Sequence, residues 1–201
     1  MELSDLPVDV GSLALLPVAS AHGRFQPFHL GHLEYLQASK QRCDFLWIGI
    51  TQYLAPTVQA TTPEDVHRSM PQNNPLTYFE RADLIRLALM DAGISGSEYG
   101  FVPFPIEEPA LLHNFLDPAI PIFTTVYDDW NRHKVDVLRR HGYQVHVLWE
   151  RHRKDYAGAA IRSGMLAGNS EWHSMVPRAT LPRLAELQIG ERLKRLVTTD
   201  H

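Results

Sequence analysis

The sequence predicts an α/β protein built on a doubly wound parallel sheet, with helices on both faces and further helices at the C-terminal end. Three observations lead there. Apolar runs of strand length alternate with segments of helical period, most connections between them are short, and one run, Phe45 to Ile50 (FLWIGI), is continuous, as suits a strand buried on both faces. Such alternation requires right-handed crossovers, and so a parallel sheet covered by helices.

In chain order, Leu13 to Ala21 is the first strand, although Pro17 argues against a perfectly regular central strand. Leu33 to Arg42 is helical, and Phe45 to Ile50 is the second strand. Thr77 with Glu80 three residues on forms a capping box, opening a helix through Leu84, Ile85, Ala88 and Leu89 that stops at Gly93. Phe101 to Ile106 and Ile122 to Tyr127 are further strands, with a short helical stretch, Ala110 to Phe115, between them. Arg132 to His141 is a helix closed by Gly142, and Tyr143 to Trp149 is the last strand. A basic stretch, Arg151-His152-Arg153-Lys154, follows, then a helical segment from Gly158 to Leu166. Leu181 to Leu196 carries Leu184, Leu187 and Leu193 among charges and reads as a packing helix within a C-terminal segment 178–201.

The 201 residues suit one well-cored domain over 1–201, with an N-terminal extension at 1–11. Hydrophobic residues at 44% and charged residues at 21% are those of a soluble globule. A formal charge of −4 leaves no electrostatic footprint for nucleic acid. No apolar run approaches the roughly 20 residues of a membrane span, and the start of the chain lacks an export signal, so a cytoplasmic protein is expected. The single cysteine, Cys43, excludes an internal disulfide and a multi-cysteine zinc site, and reads as a small core hydrophobe. The stretch 53–74, with three prolines and no period, is longer than an ordinary connection; it reads as a flap over a ligand site or as an idle excursion.

In a doubly wound sheet, ligands bind at the carboxyl ends of the strands, near the point where strand order reverses. Gly23-Arg24-Phe25-Gln26-Pro27-Phe28-His29-Leu30-Gly31-His32 lies there, directly between the first strand and the first helix. Two histidines three apart at a helix start point the same way and join the unpaired backbone N–H groups of the first turn. That end carries positive partial charge and receives phosphate, Gly31 lets the phosphates approach the backbone, and Arg24 adds a cation. When a nucleotidyl group moves onto a phosphate acceptor, charge builds on the oxygens around the α-phosphorus while pyrophosphate leaves. The acceptor brings its own nucleophilic oxygen, so the protein mainly positions groups and stabilises charge. The rival readings are a structural histidine pair and a zinc site, and for zinc no third ligand stands at a suitable spacing. Glu80 reads as a capping carboxylate, and Asp128 and Asp129 as a turn or helix start more readily than a metal pair.

GRFQPFHLGH resembles the signature of the HxGH nucleotidyltransferase superfamily, and within it the archaeal-type nicotinamide-nucleotide adenylyltransferases. The likeness extends from about Leu13 to Pro177 and includes Ile48-Gly49-Ile50-Thr51-Gln52, Asn74-Pro75-Leu76-Thr77-Tyr78-Phe79-Glu80-Arg81, and Tyr156 to Arg162 (YAGAAIR). It implies a Rossmann-like nucleotidyltransferase fold. His29 and His32 would bind the triphosphate and stabilise the transition state, with Arg24 and Arg162 on the outer phosphates. Gly23, Phe25, Gln26, Gly31, Gly158 and Ile161 would form the nucleotide pocket, and Gln52, Asn74, Arg81, Tyr127 and Trp130 the acceptor side. It further implies Mg2+ carried with the triphosphate, ATP as the favoured nucleotide, a small phosphorylated acceptor, and a homo-oligomer acting on neither nucleic acid nor membrane. The chain departs from the family at Ala157 and Ala159, where hydroxyls are usual, and at Asp128-Asp129-Trp130-Asn131. Three functions follow: transfer of AMP from ATP to nicotinamide mononucleotide to give NAD; cytidylyl or adenylyl transfer to a different phosphate or phosphonate; or regulation by nucleotide binding without turnover.

Overall fold

The apolar runs become β1 (Leu16–Gly23), β2 (Cys43–Ile50), β3 (Tyr99–Pro103), β4 (Ile122–Val126) and β5 (Val145–Glu150) in a computed structural model that describes residues 15–54 and 70–199. All pairings are parallel, in the order β3-β2-β1-β4-β5, so strand order reverses between β1 and β4 as a doubly wound sheet requires. Pro17 falls at the start of β1, before that strand is paired on both sides, and so removes no ladder bond from its centre.

The helices are α1 (Leu30–Lys40), α2 (Tyr78–Asp91), α3 (Asp129–Arg140), α4 (Gly158–Ala167), α5 (Leu181–Glu186) and α6 (Ile189–Thr199), with short 3-10 turns between some of them. Side chains alternate across each strand and feed two cores. Ala19, Ala21, Leu46, Ile48, Ile50 and Phe123 join Leu36, Leu84, Ile85, Ile161 and Leu193 in the larger one. Ile122, Val126 and Val145 join Phe104, Leu112, Val135 and Leu138 in the smaller. Cys43 is buried in the larger core, and burial pushes its thiol up to about 11, as befits a hydrophobe.

The capping box at Thr77 forms with both bonds: the Glu80 N–H donates to Thr77 Oγ1 at 3.2 Å, and the Thr77 N–H to the Glu80 carboxylate at 2.8 Å. Gly93 and Gly142 adopt left-handed φ just beyond their helices. Several boundaries differ from expectation: α1 opens at Leu30 rather than Leu33 because His29 caps it, and β2 and β5 start two residues from where they were expected. Phe104 and Ile106 lie beyond β3, buried by the smaller core rather than by strand pairing. α3 starts at Asp129, because Asp128 caps it by accepting from the Asn131 N–H at 2.8 Å. The single C-terminal helix expected over Leu181 to Leu196 is two helices, broken at Gln188, where φ is +48. The break lets α6 approach α4 so closely that a Cβ on Gly190 would lie 2.7 Å from the Met165 carbonyl oxygen. The expected extension at 1–11 and most of the expected 53–74 loop lie outside the described residues.

Candidate active site

His29 is the N-cap of α1, and His32 is the third residue of that helix. The His32 backbone N–H donates to His29 Nδ1, and the His29 backbone N–H donates to His32 Nδ1, each at 3.3 Å. This is a capping box in which both side chains are imidazoles. Its consequence is chemical. An Nδ1 that accepts a hydrogen bond cannot carry a proton, so in each neutral ring the proton sits on Nε2, which becomes a donor away from the helix. The rings stack at 3.5 Å between centroids, a separation that disfavours charge on both. Burial, with Lys154 nearby, pushes His29 down to about 4. Burial, with His29, Arg24 and Lys154 nearby, holds His32 well below the usual histidine value. At neutral pH the pair therefore offers two N–H donors at the positive end of a helix.

The loop that carries them is held from several sides. Phe25 and Gln52, the non-glycine residues with left-handed φ at the ends of β1 and β2, stand at +55 and +47. Arg81, fully buried on α2, clamps both turns. Its Nη1 donates to the Arg24 carbonyl at 2.9 Å and the Thr51 carbonyl at 2.7 Å, its Nη2 to the Gln52 carbonyl at 2.8 Å, and its Nε to the Thr77 carbonyl at 3.2 Å. Burial lowers its pKa to about 10, so it stays charged at neutral pH. The Gln26 amide pairs both ways with the Leu76 backbone, at 2.8 and 3.0 Å. Arg162 donates to the Gln26 carbonyl at 2.6 Å and to Asn73 at 2.7 Å. A Cβ on Gly158 would lie 2.7 Å from that same carbonyl oxygen, so glycine there lets the start of α4 close on the histidine loop. Ile161 is fully buried behind it. A Cβ on Gly23 would lie 2.7 Å from the Phe25 ring. At Gly31 an added Cβ would meet the His29 and Tyr156 rings at 3.4 to 3.5 Å, so packing does not require glycine there.

The structure thus brings together Gly23, Arg24, Phe25, Gln26, His29, Gly31, His32, Gln52, Arg81, Gly158, Ile161 and Arg162, and it commits the guanidinium of Arg81 and the Nη atoms of Arg162 to protein partners. Asn74 follows the 3-10 turn Pro71–Asn73 and donates from Nδ2 to the Met70 carbonyl. Tyr127 and Trp130 belong to another cluster, at the ends of β4 and β5. Trp149 Nε1 donates to the Tyr127 hydroxyl at 3.0 Å, Lys154 lies 5.3 Å over the Tyr127 ring and 3.5 Å from the Asp128 carboxylate, and Lys134 lies 4.3 Å over Trp130. Lys154 joins the two clusters electrostatically, since its charge is felt by both His29 and His32. Sequence reasoning did not single it out as a site residue; the signal was the basic run directly after the last strand.

A second feature escaped it altogether. β1 pairs with β4 only at Ser20 and Ala21; at the next residue the strands part, and the Tyr35 hydroxyl bridges the gap, accepting from the His22 N–H at 3.1 Å and donating to the Phe123 carbonyl at 2.7 Å. The His22 side chain stands at this opening, 6% exposed, with neither ring nitrogen hydrogen-bonded. Ser20 Oγ and Gln52 Oε1 are likewise buried without hydrogen-bond partners. A polar group buried in this way costs about 1–3 kcal/mol. Among the described residues no three His, Cys, Asp or Glu side chains gather to hold a metal ion.

A doubly wound parallel sheet whose reversal point carries a histidine-capped helix start braced by two buried arginines, Arg81 and Arg162, defines a nucleotide-handling enzyme of the α/β class. The chain belongs to the cytidylyltransferase-like family, whose model matches residues 20–161, and it is a nucleotidyltransferase. It is 39% identical over 175 residues to a phosphonoformate cytidylyltransferase of Streptomyces viridochromogenes, covering 86% of this chain and 93% of that one. It is 29% identical over 184 residues to a nicotinamide-nucleotide adenylyltransferase of Saccharolobus solfataricus, covering 89% and 95%. In fold it is similar to a bifunctional NMN adenylyltransferase/ADP ribose pyrophosphatase from Francisella tularensis, with a TM-score of 0.60 at 15% identity; the likeness covers 88% of this chain and about half, 52%, of that one. That protein has also been solved with AMP and a manganese ion. No helix among the described residues is long and apolar enough to cross a membrane.

Proposed function

We propose that this chain, acting as one catalytic domain, transfers a cytidylyl group from CTP to a small phosphonate and releases pyrophosphate. The observation that carries the proposal is the 39% identity to a phosphonoformate cytidylyltransferase along nearly its whole length, against 29% for the adenylyltransferase. The departures at Ala157, Ala159 and Asp128 to Asn131 support it, because they fall where nucleotide and acceptor would be chosen.

A phosphonate oxygen of the acceptor attacks the α-phosphorus in line, the bond from that phosphorus to the bridging oxygen of the β-phosphate breaks, and pyrophosphate leaves with the bonding electrons. The attacking oxygen is already anionic, so no general base is needed. His29 and His32 donate from Nε2 to the phosphate oxygens on which charge builds, and Arg24 adds positive charge beside them. Gln26, Arg81 and Arg162 hold that loop in place. Mg2+ enters with the triphosphate as part of the substrate.

The second reading is adenylyl transfer from ATP to nicotinamide mononucleotide, giving NAD, and the ordered series from GRFQPFHLGH to NPLTYFER favours it. Pyrophosphate release with CTP or ATP, each paired with phosphonoformate or nicotinamide mononucleotide, separates the two. Turnover confined to CTP with phosphonoformate is expected. Turnover confined to ATP with the mononucleotide establishes the second reading instead, and binding of nucleotide without turnover in any pairing makes the chain a regulatory protein. In the active pairing, His32→Ala lowers kcat by about 100- to 1,000-fold, as the loss of one transition-state donor does.

A further inference from the structure

We propose that His22 selects the acceptor, its imidazole hydrogen-bonding a second anionic group, a carboxylate, on the molecule whose phosphonate attacks the nucleotide. This rests on the cytidylyl-transfer reading above. His22 occupies the place where β1 and β4 part, and it is at such reversal points that sheets of this class take their ligands. Both ring nitrogens are buried without a partner, whereas the Gln26, Arg81 and Arg162 side chains that hold the histidine loop are engaged. The ring is also deliberately seated. Phe104 stacks on it at 4.2 Å between centroids and 1° between planes. The residue opposite His22 on β2 is Gly49, and a Cβ there would lie 2.4 Å from the Phe104 ring. Glycine at 49 therefore lets Phe104 lie flat against the histidine and fix its plane.

An apolar side chain would fill the same space without leaving two polar atoms bare, so packing alone gives no reason for histidine. Burial and the positive charge of Lys134 keep the ring neutral, which leaves it one N–H to donate and one lone pair to accept with. The donor suits a carboxylate oxygen, and the field of Lys134 on α3 favours an anion at the same place.

The test compares phosphonoformate, which carries a carboxylate beside its phosphonate, with methylphosphonate, which lacks one. His22→Phe keeps the stack and the volume and removes both orphaned atoms, so its Tm should equal or exceed that of the wild type. Its kcat/KM ratio for phosphonoformate over methylphosphonate should fall by about tenfold or more, chiefly through the KM of phosphonoformate, while the KM of CTP stays in place. An unchanged ratio in folded His22→Phe overturns the assignment and leaves His22 a packing residue. Should that variant not fold, His22→Gln, which keeps a donor and an acceptor, must retain a preference that His22→Leu loses; equal ratios in those two also overturn it. Wild-type silence with both phosphonates, alongside turnover of nicotinamide mononucleotide, is a different failure: it removes the proposed function, and the role of His22 falls with it.

Discussion

The β1–β4 opening at the end of β1 and the histidine loop that follows it sit a few residues apart, yet they are built on opposite terms. In the loop, backbone and side chain are matched: Arg81 satisfies four carbonyls, Gln26 pairs both ways with Leu76, Arg162 bridges Gln26 and Asn73, and the two histidines cap one helix for each other. At the opening, the His22 ring buries two nitrogens, and Ser20 two residues earlier a hydroxyl, that nothing satisfies; on the loop side Gln52 Oε1 is likewise unsatisfied. The difference suggests a division of labour. A triphosphate is common to many reactions and calls for rigid, pre-set donors, whereas an acceptor is particular and its site is completed by the molecule it takes.

The sharpest way to break the comparison is to cut the loop's central brace. Arg81→Met should destabilise the protein by about 4 kcal/mol, because it strands four carbonyls and releases two left-handed turns. Urea unfolding measures the loss, and a variant within 1 kcal/mol of wild type would mean that the turns hold themselves. Arg81→Lys, a single charge that cannot fork, should recover only part of it.

Next in size is the effect of acid. His29 stands near 4 in the folded protein against 6.5 unperturbed, so the unfolded chain takes up the proton first. The contribution is fully present above pH 6.5, falls away between 6.5 and about 4, and is flat below. It amounts to about 2 to 3 kcal/mol by pH 4.5. His29→Asn keeps a capping side chain but cannot titrate; its stability should decline less steeply over that window than that of the wild type, and an equal slope would place the titration elsewhere.

The smallest test adds what the loop side lacks. Ala157 is the N-cap of α4 and makes no side-chain cap bond. Ala157→Ser should supply one and stabilise the protein by about 1 kcal/mol, read as a higher Tm, with no effect on the preference between acceptors. A changed preference would show that the two regions are not independent.

Much of the loop side was legible because its signals are local. Thr77 and Glu80 are three residues apart, as are His29 and His32, and helical geometry turns that spacing into contact. The strands declared themselves by continuous apolar runs. What stayed hidden depends on contacts between distant segments. Arg81 reads as a ligand residue until the fold sets it against the carbonyls of residues 24, 51 and 52, and His22, just past the strand expected to end at Ala21, carries no signal of its own until β4 fails to pair with it. Gln188, which divides the last amphipathic stretch, has no sequence signal at all; its left-handed φ arises where α6 must meet α4.

The reciprocal histidine cap carries one last consequence. Each imidazole accepts from the backbone N–H of the other residue. A substitution at either position leaves that backbone N–H in place and so keeps the other ring's anchor; what it removes is the ring stacked at 3.5 Å, and through that contact the two contributions are coupled rather than summed.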